Sequence, residues 1–142
     1  MQIAIMAHEK KKELMTQFCI AYCGILSRHQ LCATGSLGKA VEDATGLEVE
    51  LLLMREHGGF QQVASKVSYN EIDLLLYFRD RDDMDFVSGN DEEEILHLCD
   101  SYNIPYATNI ATAEALIMAL ERGDLDWRML VKESAIILPM HN

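Results

Sequence analysis

Three short runs, QIAIMA at 2–7, LEVELLL at 47–53 and IDLLLYF at 72–78, leave this chain little choice of architecture. A run of five to seven largely apolar residues bounded by turn residues reads as a strand buried on both faces. Between the runs the apolar residues recur at three and four. Leu14, Met15, Phe18, Tyr22, Ile25 and Leu26 form a helical stripe over 9–27. The spacing predicts further helices over 36–46, 60–67, 92–102 and 110–123, with Gly46 and Gly123 as stops. Further strands are predicted at 31–35 and 104–109, and a short one at 135–140. Strands that alternate with helices and are apolar on both sides imply a parallel sheet covered by helices on both faces, a three-layer α/β sandwich of about five strands. No linker, repeat or low-complexity segment interrupts residues 1–142, so a single domain is expected.

In such a sheet, ligands bind outside the carboxyl ends of the strands. Five segments therefore converge on one edge: His8, Thr34-Gly35-Ser36, the turn REHGGFQQ at 55–62, the acidic loop from Asp80 to Asp91, and Thr108-Asn109. Two readings of Ser36 stand side by side, a phosphate contact at a helix N-terminus and a plain N-cap. His8 is followed by Lys10, Lys11 and Lys12. Lysines at a helix start oppose the macrodipole, which calls for a compensating reason, and a solvated basic first turn stands beside an anion contact as the reading. Asp80, Asp82, Asp83, Asp85 and Asp91 crowd one loop. They suit acid–base work, a cation or simple solvation, and Asp80 is singled out because it directly follows the strand.

The net charge of −11 argues against nucleic acid or an anionic membrane surface as partner, but it leaves room for a small anion held by local cations. The four cysteines, Cys19, Cys23, Cys32 and Cys99, form no C-x-x-C pair. They read as core thiols, with no metal site and no disulfide framework. The N-terminus has its apolar stretch before its charges, the reverse of a signal peptide, and the cytoplasm is the expected location.

The quoted loops together resemble the methylglyoxal synthase family. AHEKKKELM, ATGSLG, GGFQQVASKV, IDLLLYFRD and NIPYATNIATAEALI stand in the family's order and spacing, from Ile3 to about Pro139. The resemblance implies a flavodoxin-like fold, a homo-oligomer (a hexamer), and no metal or organic cofactor. It also implies a reaction on dihydroxyacetone phosphate. An Asp takes a proton next to the carbonyl, and the enediolate then expels phosphate to leave methylglyoxal. By position, Lys12, Thr34, Ser36, Gly58 and Gly59 match substrate- and phosphate-binding places, and His8, Asp80 and Asp91 match catalytic ones. Phe60, however, stands where the family has its catalytic base, and phenylalanine accepts no proton. Met54-Arg55 replaces a Ser-Gly, Leu37 replaces a Thr, and Val87-Ser88 lies near the place of an expected His.

The expectation is a divergent family member that binds a small phosphorylated or anionic ligand with the lyase activity lost or weak. The alternative is an active methylglyoxal synthase, or a related lyase with a substituted base. Arg55, Glu56 and His57 are then either new chemistry beside the pocket or solvent-facing turn residues. A purely structural role as an oligomeric partner is the third reading.

Overall fold

The computed structural model describes residues 1–80, 89–130 and 132. The strand predicted at 135–140 and the acidic-loop carboxylates at 82, 83 and 85 lie outside them.

Five parallel strands form one sheet in the order β3-β2-β1-β4-β5. They are β1 (Gln2–Ala7), β2 (Gln30–Thr34), β3 (Val49–Leu52), β4 (Leu74–Phe78) and β5 (Tyr106–Ala107). The helices are α1 (Lys12–Ala21), α2 (Cys23–Leu26), α3 (Gly35–Thr45), α4 (Gly59–Ser68), α5 (Gly89–Ser101) and α6 (Ile110–Arg122). Strand period two divides the core. Ile3, Ile5, Leu74, Leu76 and Phe78 face α1, α3 and α6 through Phe18, Val41 and Ile117. Ala4, Met6, Leu75 and Tyr77 face α4 and α5 through Val63, Val67, Ile95 and Cys99. The result is the expected three-layer sandwich. The chain runs outward from β1 through β2 and β3, then returns to build β4 and β5 on the other side. The strand order thus reverses between β1 and β4, the place where open α/β sheets form a crevice.

Gly46 and Gly123 end α3 and α6 in the left-handed conformation, with φ of 76° and 84°. The single helix expected over 9–27 is in fact three pieces. A 3-10 turn at Glu9–Lys11 precedes α1, and Tyr22, at φ −109° and ψ 23°, separates α1 from α2. β3 is shorter than 47–53 because it is an edge strand, with Leu51 and Leu53 each 51% exposed. β5 keeps only two residues of the six expected.

Cys19, Cys32 and Cys99 are buried free thiols. Burial pushes their pKa values up to about 12, 11 and 12, so they stay protonated and unreactive.

Away from the carboxyl edge, Arg128 and Asp73 form a buried tie, 2% and 1% exposed. Arg128 donates to Asp73 Oδ1 (3.3 Å), Asn70 Oδ1 (3.0 Å), the Asn103 carbonyl (2.8 Å) and the Ile72 carbonyl (3.3 Å). Lys132 Nζ reaches Asp73 Oδ1 at 2.7 Å, and the Gln2 amide donates to Asp73 Oδ2 at 2.8 Å. Burial alone would raise the Asp73 pKa. The hydrogen bonds from Lys132 and Gln2, with the Lys132 and Arg128 charges, outweigh it and hold the carboxyl below its ordinary value.

Candidate functional site

A cleft of about 340 Å³ opens at the carboxyl edge. Three of the five strands contribute at their carboxyl ends: His8 and Glu9 after β1, Thr34 to Leu37 at and beyond the end of β2, and Met54 to Glu56 after β3. Lys12 and Phe60 complete the wall from α1 and α4. A larger hollow of about 630 Å³ lies at the opposite edge, among Gln2, His29, Gln30 and Glu50, and none of the candidate site residues lines it.

Lys12 and Ser36 meet directly, Lys12 Nζ donating to Ser36 Oγ at 2.9 Å. This partner answers the lysine-rich helix start, because α1 begins only at Lys12 and its ammonium reaches across to α3. Ser36 is not the N-cap of its helix. The N-cap of α3 is Thr34, which makes no side-chain cap bond, and Ser36 lies inside the first turn. Gly35 there has φ 50°, and a Cβ on it would meet Met54 at 3.2 Å. The first turn of α3 lines the cleft with its backbone and a serine hydroxyl, and Lys12 of α1 joins them there, a combination that in general suits an anion.

Gly58 and Gly59 do not line the cleft; they build the turn beneath it. Gly58 has φ 99°, and a Cβ on Gly59 would stand 2.3 Å from the Leu53 carbonyl oxygen. Gln62 fastens the same turn by accepting from the Leu53 amide at 2.8 Å.

Phe60 points inward. It is 6% exposed and packs with Val63 and Val67 along the buried face of α4. Its ring meets Tyr77 edge-on at 6.0 Å, and the Arg55 guanidinium lies 5.0 Å from its centroid. The place expected for a base thus holds an apolar plate with a cation over it. Arg55 accordingly belongs to the cleft, as does Glu56, whereas His57 is exposed outside it.

His8 is buried at the crossover point. Its Nδ1 accepts the Asp80 backbone N–H at 2.8 Å, and its Nε2 lies 3.0 Å from Glu92 Oε2. Glu92 is 1% exposed and takes Arg79 Nη1 on its other oxygen at 3.0 Å. Asp80 thus joins the site through its backbone. Asp91 was expected in a loop, but it stands in the first turn of α5, whose helix starts at Gly89. Burial, then the Glu92 carboxylate, push the Tyr77 pKa well up and keep the phenol protonated. Its hydroxyl makes no hydrogen bond among the described residues.

The sequence reading missed two carboxylates. Glu9 lines the cleft, and Glu92 anchors His8. Glu92 is three residues before Ile95 and seven before Cys99, both buried, and that spacing puts it on the inner face of α5. Among the described residues, no three His, Cys, Asp or Glu side chains are grouped to hold a metal.

A five-stranded parallel sheet with a crevice at its crossover, walled there by a lysine–serine contact, defines an α/β protein with a cleft at the carboxyl edge of its strands. Relatives narrow the class. Methylglyoxal synthase of Caldicellulosiruptor saccharolyticus is 53% identical over 131 residues, 92% of each chain. That of Listeria welshimeri is 46% identical over 133 residues, 92% of this chain and 96% of its own. The crystal structure of methylglyoxal synthase from Elizabethkingia anophelis superposes with a TM-score of 0.72 at 30% identity, covering 82% of this chain and 76% of that one. No protein-family model matches. The chain belongs to the methylglyoxal synthase family.

Proposed function

We propose that the cleft binds dihydroxyacetone phosphate and carries out the family's phosphate elimination slowly. The observation that carries this reading is the Lys12–Ser36 contact at 2.9 Å on the first turn of α3, a phosphate cradle kept in a chain 53% identical to a methylglyoxal synthase. In this reading Lys12, Ser36, Thr34 and the α3 amides hold the phosphate, and Arg55 adds a second cation. A carboxylate removes the proton beside the carbonyl, the electron pair forms the enediolate, and the C–O bond to phosphate breaks. Phe60 cannot take that proton. Glu9 and Glu56, on the cleft wall, are the described carboxylates that replace it, with Asp80, whose backbone meets His8, and Asp91, in the first turn of α5, as the other candidates. General-base catalysis is worth about 10²–10⁴-fold, so a displaced base gives a slow enzyme rather than a fast one.

A second reading has its own support. The buried Phe60 ring, closed by Tyr77 and Arg55, fits a protein that binds the phosphorylated ligand without turning it over. Both readings need the cradle. Inorganic phosphate at a hundred times its Kd should stabilise the fold by about 2.7 kcal/mol, read as a higher Tm. Lys12→Ala should remove that rise. An equal rise in both proteins would mean that phosphate binds elsewhere, and both readings would fall.

The same proposal takes residues 1–142 as one domain acting in the cytoplasm as a homo-oligomer. The edge strand β3, with Leu51 exposed in it and Leu53 exposed just after it, supports association. No described helix is long and apolar enough to cross a membrane.

A further inference from the structure

The carboxylate of Glu92 has its two oxygens on two different tasks. Oε2 faces His8 Nε2 at 3.0 Å, and Oε1 faces Arg79 Nη1 at 3.0 Å. Glu92 and His8 are both nearly sealed from solvent. On the far side of the imidazole, Nδ1 sits 2.8 Å from the Asp80 amide nitrogen and 3.2 Å from the Asp80 carbonyl oxygen. The ring can therefore satisfy Nδ1 either way, as acceptor from the amide or as donor to the carbonyl. Nothing at the Asp80 end alone chooses between the two tautomers. Glu92 does choose. An ionised carboxylate only accepts, so Nε2 must be the nitrogen that carries the proton. Arg79 reinforces the choice, because it can only donate and so holds the other carboxylate oxygen as an acceptor.

We propose that Glu92 is a positioning residue that locks His8 in the Nε2–H tautomer at the crossover of the sheet. The inference deepens the function proposed above, since it concerns the histidine of that same cleft. Its consequence is chemical. While the lock holds, the His8 proton is committed to Glu92 and the Nδ1 lone pair to the Asp80 amide. A ligand oxygen reaches the proton only by sharing it with Glu92. His8 then acts as an oriented wall of the cleft rather than as the base missing at position 60. The proton abstraction is left to a carboxylate.

Glutamine at position 92 makes the lock testable. Its amide has one acceptor where the carboxylate had two. Arg79 can only donate, so it claims the amide oxygen, and the amide N–H group then faces His8 Nε2. The ring must accept there and move its proton to Nδ1, where the Asp80 carbonyl receives it.

The experiment is nitrogen-detected NMR on protein labelled with ¹⁵N-histidine, without ligand, with His8 assigned by comparison with His8→Asn. In the wild type, Nε2 should resonate as a protonated nitrogen and Nδ1 as an unprotonated one. In Glu92→Gln the two signals should exchange character. In Glu92→Gln combined with Arg79→Ala the amide oxygen is released to His8, and the wild-type pattern should return. A wild-type ring protonated at Nδ1, or evenly mixed, would overturn the inference without any variant having to fold. So would a Glu92→Gln spectrum with the wild-type tautomer. A glutamate that merely fills space would move neither signal. Because no ligand is present, failure here leaves the phosphate test of Lys12 untouched. Failure of that test in turn leaves the tautomer result standing.

Discussion

Phe60→Asp raises the turnover of dihydroxyacetone phosphate about 10²–10⁴-fold over the wild-type chain, the contribution that general-base catalysis typically makes. The geometry favours this gain. The Phe60 ring already sits on the cleft wall, at the start of α4, with Arg55 over it. A carboxylate there would face the ligand and find a cation beside it. The substitution also has a cost. Phe60 is buried against Tyr77, Val63 and Val67, and truncating such a ring removes about 3–5 kcal/mol of stability. Initial rates of methylglyoxal release, normalised to the folded fraction from circular dichroism, separate the two effects. A folded Phe60→Asp protein no faster than wild type would mean that the cleft cannot seat the substrate at all.

The second large effect lies far from the cleft. Arg128→Ala leaves Asp73 buried with only Lys132 and the Gln2 amide, and it strips the Asn103 and Ile72 carbonyls and the Asn70 side chain of a donor. Removing one partner of a buried ion pair costs about 3–5 kcal/mol. For a chain of this length that is a fall in Tm on the order of 10–20 °C. The same cluster sets an acid response. The folded Asp73 pKa lies below its ordinary 3.8, so its stabilisation is complete above that pH and fades as the pH falls below it. Thermal melts of both proteins at neutral pH and near pH 3 check both claims. The gap between them should be wide at neutral pH and narrower in acid. A Tm for Arg128→Ala within two or three degrees of wild type would show that the tie is ornamental.

The fold was legible because its strands are short, largely apolar runs, and β4 is apolar at every position. Leu74 to Phe78 can only be a central strand, and the buried core on both faces agrees. Gly46 and Gly123 announced their helix ends. Edges were harder to read. Leu51 and Leu53 look like core residues in a one-dimensional pattern, but the outermost strand leaves them exposed. The break at Tyr22 had no sign in the apolar stripe, which continues through it.

The site was legible by position and less so by partner. Strand-end placement brought His8, Lys12, Thr34, Ser36, Arg55 and Glu56 to one cleft. The Gly58-Gly59 pair was also conspicuous, but its glycines serve the close passage of the Leu53 backbone rather than a ligand. Glu92 hid in the run DEEE, where three glutamates look alike by type and only the phase of Ile95 and Cys99 separates the inward one. Arg128 hid for a related reason. A lone arginine near a chain end reads as solvated until the sheet supplies Asp73 from 55 residues away.

The central claim is that a phosphate cradle survives around a displaced base. The direct measurement incubates wild-type protein with dihydroxyacetone phosphate and follows methylglyoxal and inorganic phosphate together, against buffer alone and against Lys12→Ala. The account predicts slow release of the two products in equal amounts, above the buffer rate, and its loss in Lys12→Ala. Release no faster than in buffer, or release that Lys12→Ala leaves unchanged, would contradict it.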